Sequence, residues 1–131
     1  MRPHGPGRAS NDRGSLTLSY VIVVPLVFAA LLVIIQAACY GLVSQAALAA
    51  AWHGADAARV LGAPRSAAAA AAVRFADSSA AGLLRNPRAT ESVTGHTVQV
   101  TVHGEVWSVI PGLALPVSQT VQAPVERFTT P

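Results

Sequence analysis

The chain has 131 residues, a formal net charge of +3 and a hydrophobic content of 52%, to which aromatic residues contribute little. A chain of this length holds one small domain beside any membrane segment, so several independent domains are excluded. Its nine basic residues are all Arg and form no basic stripe, which excludes a nucleic-acid-binding surface.

Residues 1–14 are rich in Gly, Pro and Arg and contain no apolar pattern that could pack. Segments of low hydrophobicity do not bury enough surface to fold. We therefore interpret residues 1–14 as a disordered cytoplasmic tail or as a leader that is cleaved off.

The next segment is an apolar run, Leu16–Tyr40, inside a stretch that carries no charged side chain from Ser15 to Trp52. As a helix, the 25 residues of the run measure about 37 Å, enough to cross the roughly 30 Å hydrocarbon core of a bilayer with some tilt. The run therefore predicts a transmembrane helix, to which we assign residues 15–43.

The flanking charges predict how this helix is oriented. Arg2, Arg8 and Arg13 precede the run, whereas Asp56 and Arg59, the first charges after it, cancel. Because positive flanks stay in the cytoplasm, the sequence predicts a single-pass protein of the cytoplasmic membrane with its N-terminus inside. Its first partner is then the lipid bilayer, and its C-terminal module lies outside the cytoplasm.

Four residues inside the predicted helix carry further expectations. Pro25 removes one backbone hydrogen bond and predicts a kink. Ala37 and Gly41 form a small-xxx-small pair that lets a second helix approach, although such pairs also arise by chance in Ala-rich helices. Cys39 is the one cysteine, so no intramolecular disulfide forms. We expect it to be buried, with an intermolecular disulfide as the alternative.

Residues 44–131 predict an extracytoplasmic α+β module that is helical over residues 44–85 and β over residues 90–128. The transmembrane helix continues into it as an amphipathic extension that ends near Pro64. The apolar stripe of this extension has the i, i+3, i+4, i+7 spacing of a helix. The stripe consists of Leu48, Ala51, Trp52 and Ala55.

A second helix is predicted over Ser66–Leu84, and the dipeptide Asn86-Pro87 is expected to end it. Its less polar face is again assigned from helical spacing. That face comprises Ala72, Phe75, Ala76, Ser79 and Leu83.

The hydrophobic period changes to two at Thr97–Val102, which predicts a β-strand with Val100 buried and Thr101 exposed. Thr90–Thr94 and Val117–Phe128 are the predicted partner strands. A small antiparallel sheet after two helices gives the α+β class.

Two details of this sheet follow from its Pro residues and its connection. Pro124 confines the last strand to a sheet edge. The apolar loop 109–116 either docks on the protein's own helix or forms an exposed docking patch.

The sequence shows no catalytic or metal-binding constellation. His53 and Asp56 lie three residues apart, and His103 and Glu105 share a strand face, but neither pair has a recognised ligand spacing or a third ligand. A G-x-S-x-G elbow and a phosphate-binding glycine loop are both missing from the sequence. We therefore predict that the protein is not an enzyme and takes no cofactor.

The order of several loose motifs resembles that of the TadE-like proteins. Arg13-Gly14-Ser15-x-Thr17 precedes an apolar helix with Pro25, and an Ala-rich extension follows with Gln45 and the segment Gly54–Arg59. The end of the chain is similar too, and the resemblance covers nearly everything after Arg13. Its motifs there are a T-V-x-V-T-V strand, Pro111-Gly112-Leu113 and Pro124-Val125-Glu126-Arg127-Phe128.

This resemblance implies a pilin-like, single-pass membrane protein of the tight-adherence (Tad/Flp) pilus machinery, either a minor pseudopilin or an assembly factor. It implies other Tad pilus or secretion components as partners. It also implies processing by a prepilin peptidase, a membrane aspartic peptidase that cuts after a glycine, here between Gly14 and Ser15. The family pattern has Glu at the fifth residue after the cut, where this chain has Ser19. The missing carboxylate predicts a subunit that helps assembly rather than one that forms the filament shaft.

Two functions of other classes remain open. The chain could be a membrane-anchored envelope binding module unrelated to pili, or a soluble domain that signal peptidase releases at a small-residue site such as Ala47-Leu48-Ala49. The apolar segment is longer than the roughly 7–15 residues of a signal-peptide core, which favours retention in the membrane.

Overall fold

The computed structural model describes Met1, Pro3, residues 12–60, Pro64 and residues 66–125. These residues form a long helix, a second helix and a three-stranded sheet, which confirms the predicted α+β class. The chain divides between Ile34 and Ile35 into two compact units. The elements are α1 (Asp12–Arg59), α2 (Ser66–Ser79), β1 (Leu84–Thr94), β2 (Thr97–Val106) and β3 (Leu115–Pro124).

The N-terminal unit contains the first part of α1, and its side chains have no packing partners. Every side chain from Thr17 to Ile34 is exposed, including large aliphatic residues and Phe28. Within the described residues, one helical stretch, Thr17–Arg59, is long and apolar enough to cross a membrane. Pro25 lies inside this helix, and the kink predicted there stays a prediction.

The sheet is antiparallel in the order β1-β2-β3, so β2 is the central strand. Val100 is fully buried and pairs with Val121 of β3, which confirms the predicted alternation. Thr101 is half-buried rather than fully exposed, because its hydroxyl lies 3.0 Å from that of Thr120 across the strands. Pro124 ends β3 at the edge of the sheet, as predicted.

The core of the second unit joins α1, α2 and the inner face of the sheet through small side chains. Gly54 marks the closest approach: a Cβ added there would lie 2.8 Å from the Ala68 carbonyl oxygen and 3.1 Å from Val100 Cγ1. Ala and Val therefore dominate the buried set. From the helices it includes Val43, Ala47, Ala50, Ala51, Ala55, Ala68, Ala72 and Ala76.

The predicted apolar stripe of the α1 extension is wrong in half of its members. Ala51 and Ala55 are buried, but Leu48 and Trp52 are exposed. The small side chains face the core because α2 approaches too closely for a bulky side chain to fit between the helices. Hydrophobicity alone therefore assigned two large side chains to the buried face that the structure leaves exposed.

The predicted end of the second helix is also wrong. The helix stops at Ser79 instead of Leu84, and residues Ala81 and Gly82 adopt positive φ values of 50° and 77° that reverse the chain. Ser79 caps the last turn by donating its hydroxyl to the Phe75 carbonyl oxygen at 2.7 Å. Residues with positive φ just after the last turn, usually Gly, commonly end helices.

The residues that were expected to follow the helix end at Leu84 belong to the sheet instead, so β1 begins at Leu84 and not at Thr90. The dipeptide Asn86-Pro87 lies inside this strand, at a register shift between Arg85 and Arg88. Asn86 takes a positive φ of 50° there. Because β1 is an edge strand with a bulge at this point, it tolerates a residue without an N–H group.

The last predicted strand is confirmed over Val117–Pro124, with Val117, Val121 and Ala123 buried. It begins two residues earlier than predicted, at Leu115. The part of the prediction that concerns residues 126–128 lies outside the described residues.

The contact at Gly54 generates a stability prediction. We expect Gly54→Val to lower the free energy of unfolding by about 1–3 kcal/mol, because its Cβ meets backbone and cannot be accommodated by a rotamer change. Gly41→Val is the matched control, since nothing lies within 4 Å of a Cβ at Gly41 in the same helix. Thermal unfolding of the full chain in mild detergent measures both. Equal midpoints for the two variants would contradict the close approach.

Candidate functional site

Gln36 lies in α1 at the point where the exposed run ends, and it is buried, with 4% of its surface exposed. It is the one amide in the apolar run Leu16–Tyr40. Burying an amide is unfavourable unless its donor and acceptor atoms find partners. The hydrogen-bond partners of Gln36 therefore indicate why an amide is present at this position.

The partners of Gln36 lie on the connection between β2 and β3, residues 107–114, which we call the β2–β3 loop. Its Oε1 accepts a hydrogen bond from the Val109 backbone N–H at 2.9 Å, and the Ser108 hydroxyl lies 3.1 Å from the same oxygen. Its Nε2 donates to the Trp107 carbonyl oxygen over a longer 3.4 Å. Gln36 thus supplies partners to the loop directly after the strand ladder ends at Val106.

Ser108 continues this network within the loop. Its hydroxyl accepts the Ile110 N–H at 3.1 Å and lies 3.0 Å from the Ile110 carbonyl oxygen. A hydroxyl has one proton, so it donates either to that carbonyl or to Gln36 Oε1 at any moment. Either way, the Ser108 hydroxyl and the Ile110 N–H have partners.

A tight turn follows at Ile110–Leu113. The Leu113 N–H bonds to the Ile110 carbonyl oxygen at 3.2 Å, and Gly112 adopts a φ of 77°. Pro at the second position and Gly with positive φ at the third define a type II turn. The Pro111-Gly112 pair seen in the sequence therefore shapes the tip of the loop.

The loop presents apolar side chains on the surface. Trp107 is 43% exposed and Leu113 is 39% exposed, while Val109 and Ile110 are half-buried. No charged residue occurs in the sequence between Glu105 and Glu126. The loop is thus an uncharged apolar surface with an aromatic residue at its start.

Two contacts show that β2 runs antiparallel to α1. Val100 lies beside Gly54, and Trp107, seven residues further along the strand, lies beside Gln36, far earlier in the helix. The β2–β3 loop therefore sits at the end of the module where α1 enters it. The hairpin turn at Gly95 lies at the other end of β2.

Of the predicted loop 109–116, Val109 contacts α1 and residues 111–114 are exposed, and their use as a docking patch stays a prediction. Residues 107–109 dock on α1 through Gln36. The docked part positions the exposed part.

The predicted processing residues lie at the start of α1. Gly14 and Ser19 are exposed. The side chain of Ser15 lies outside the described residues. Ala37 and Gly41 are both exposed on α1, and this leaves the predicted helix-packing pair as a prediction. Cys39 is a half-buried free thiol that packs against the core, where burial was expected.

The residues considered for metal binding are not brought together. His53 stacks on Phe75, with ring centroids 4.0 Å apart, and Asp56 forms an ion pair with Arg59 at 3.5 Å. His103 and Glu105 are exposed on β2. Among the described residues, no group of three or more His, Cys, Asp or Glu side chains could hold a metal ion.

Sequence reasoning missed Gln36. Its signal was present, because a lone amide in a run of aliphatic residues is unfavourable unless something binds it. What binds it is more than 70 residues away in the chain, and no periodicity in the sequence points to that partner.

Comparison with protein-family models, with curated proteins and with solved structures yields no match. The fold and the site by themselves define an α+β protein with a long apolar N-terminal helix, whose small sheet is tied to that helix through one buried amide.

The Gln36 contacts predict how the loop responds to mutation. We expect Gln36→Met to lower the free energy of unfolding by about 1–3 kcal/mol, because the buried Val109 N–H loses its acceptor. Amide hydrogen exchange over residues 107–113 should become faster in this variant.

Gln45→Met serves as the control, since Gln45 is an exposed residue of the same type in the same helix. It should change neither the stability nor the exchange. Unchanged exchange of the Val109 amide in Gln36→Met would show that the hydrogen bond does not hold the loop.

Proposed function

We propose that this protein is a single-pass membrane protein that acts in pilus assembly of the Tad/Flp type, as a TadE-like minor pseudopilin or assembly factor. The observation that carries the proposal is the exposed apolar run Thr17–Ile35, which continues as one helix into the core of a small α+β module. A helix of this kind gives a bilayer anchor and a module held directly on it.

The length of the exposed run matches a bilayer. From Thr17 to Ile35 there are 19 residues, which as a helix measure about 28 Å, close to the roughly 30 Å of a hydrocarbon core. Large exposed apolar surfaces on soluble proteins are rare and mark interaction with a partner or a membrane. The bilayer is the partner that covers such a helix on all sides.

The charge distribution supports an orientation with the module outside the cytoplasm. Three Arg residues precede the run, and the first charges after it, Asp56 and Arg59, form an ion pair at 3.5 Å. This asymmetry favours retention of the N-terminal flank in the cytoplasm. The protein then belongs to the cytoplasmic membrane.

The core argues against release as a soluble domain. Cleavage near Ala47-Leu48-Ala49 would remove Val43 and Ala47, which are buried in the core of the module, together with Gln36. Large-to-small changes in a core are already destabilising, and loss of a whole helical segment removes more contacts. We therefore favour retention of the helix.

Assignment to pilus assembly rests on the resemblance of the motif order and on a helix that joins an apolar anchor to a sheet-bearing module. The proposed role includes prepilin-peptidase cleavage between Gly14 and Ser15. An envelope binding module unrelated to pili remains the second candidate. Genes for a secretion ATPase and inner-membrane platform proteins beside this one would favour the pilus role.

The proposed topology predicts the outcome of a protease-protection experiment. Protease added to intact spheroplasts should digest a tag at the C-terminus and spare a tag at the N-terminus. After the membrane is permeabilised, both tags should be digested. A C-terminal tag that is protected in intact spheroplasts would overturn the orientation.

The proposed processing predicts the mass of the mature chain. Mass spectrometry of the native protein should show Ser15 as the new N-terminus, and an intact chain in cells that carry the peptidase would contradict cleavage. Ser19→Glu should raise recovery of the protein in sheared filaments or crosslinked oligomers, because a carboxylate neutralises the Ser15 ammonium in an apolar bundle.

Thr17→Glu is the matched control, because it introduces the same charge two residues away from the fifth position. It should not raise recovery. Wild-type protein that forms the bulk of a purified filament would contradict the proposed assisting role.

A further inference from the structure

We infer that the β2–β3 loop is a lipid-contacting element, in which Trp107 and Leu113 enter the outer leaflet of the bilayer that α1 crosses. This inference rests on the proposed membrane span and adds a second point of contact with the membrane. It also places the outer end of the span at Gln36 rather than after residue 43.

The position of the loop along α1 is the first step. Gln36 directly follows the exposed run that ends at Ile35, and it binds Trp107, Ser108 and Val109. A span of about 20 residues from Leu16 uses up the hydrocarbon thickness just before Gln36. The loop is therefore held at the height where the hydrocarbon core gives way to headgroups.

Three backbone donors of the loop have partners inside the protein. Irregular backbone is unfavourable in lipid because its N–H and C=O groups lack partners. Here the Val109 N–H bonds to Gln36, the Ile110 N–H to Ser108 and the Leu113 N–H to the Ile110 carbonyl oxygen. Water is not needed to satisfy these donors.

The side chains of the loop fit the same environment. Trp is enriched at membrane interfaces, where its ring contacts lipid and its N–H remains hydrated. Tyr40, on α1 one turn beyond Gln36, is 40% exposed and has the same preference. The loop is thus apolar at the end of the module next to Gln36, and lipid is the partner that the proposed span brings to that end.

A pair of opposite charges lies in the sheet next to the start of the loop. Arg85 and Glu105 are both exposed, and they face each other in the register of β1 and β2, just before the strands end. Between Glu105 and Glu126 the chain carries no charge. An uncharged tip beside an opposite-charge pair matches the change from apolar lipid to hydrated headgroups.

The two tryptophans of the chain provide an internal test. Trp52 lies 16 residues beyond Gln36 on α1, which corresponds to about 24 Å along a helix, so it is far from the proposed bilayer surface. Trp52→Phe leaves Trp107 as the single fluorophore, and Trp107→Phe leaves Trp52. Both full-length variants are reconstituted into phosphatidylcholine vesicles whose acyl chains carry bromine, which quenches tryptophan on contact.

We expect the Trp107 protein to lose most of its emission in brominated vesicles compared with unbrominated ones, and the Trp52 protein to keep its emission. Leu113→Asp in the Trp107 protein should restore much of the emission, because the charge draws the loop out of the lipid. Thr94→Asp, at the end of β1 beside the Gly95 turn and far from the loop, should not.

Carbonate extraction of the same vesicles separates the possible failures. Release of the protein would overturn the proposed span, and the loop contact with it. Retention with equal quenching of Trp52 and Trp107 would overturn the loop contact alone.

A second copy of the chain is the competing occupant of this surface. If Trp107 is not quenched while Leu113→Cys, in a Cys39→Ser background, forms disulfide-linked dimers, the loop faces another copy and the inference is overturned.

Discussion

The close approach of α1 to α2 and β2 is the constraint on which the rest of the module depends. At Gly54 the Ala68 carbonyl oxygen leaves no room for even a methyl group. A core of Ala and Val offers little apolar area per residue, so it is held by dispersion contacts between closely packed backbones. Such contacts require that α1 is a continuous helix and that its side chains on this face are small. The same helix that emerges from the N-terminal run is therefore also the support on which the sheet folds.

This constraint explains how much of the fold the sequence could predict. The alternation around Val100 predicts β2 because a sheet with one buried face requires it. The apolar run predicts a long helix because nothing in it stops one. The buried face of α1 was harder to predict, since Leu48 and Trp52 are more hydrophobic than the alanines that are buried. The size of the side chains determines which face of α1 is buried, and its effect can be judged only once the position of α2 is known.

The end of α2 shows a second limit of the sequence. Gly82 and the pair Asn86 and Pro87 both carry signals that interrupt a helix, and the stronger Pro signal was assigned to the helix end. In the structure Ala81 and Gly82 reverse the chain and Pro87 is accommodated at a strand bulge. The choice depends on whether Leu84 gains a place opposite Val106 in the sheet, which is a tertiary contact. The role of Gln36 in the candidate site depends on a tertiary contact in the same way, because its hydrogen-bond partners lie in a loop that is distant in sequence.

Gln36 also divides α1 into two kinds of helix. Before it, the side chains are mostly large aliphatic residues exposed on all sides. After it, the helix has one buried face, made of Ala and Val, and one exposed face. In lipid there is no hydrophobic force that drives such side chains inward, so bulky residues all around a helix are stable there. In water that force acts, and small residues let a second helix and a sheet pack closely. At the junction, the amide of Gln36 finds its hydrogen-bond partners in the module. Among apolar side chains or lipid the same amide would have no partner, which is unfavourable. In the proposed arrangement Gln36 therefore sets the depth of the helix, because sliding it inward would pull the hydrogen-bonded loop and the module with it.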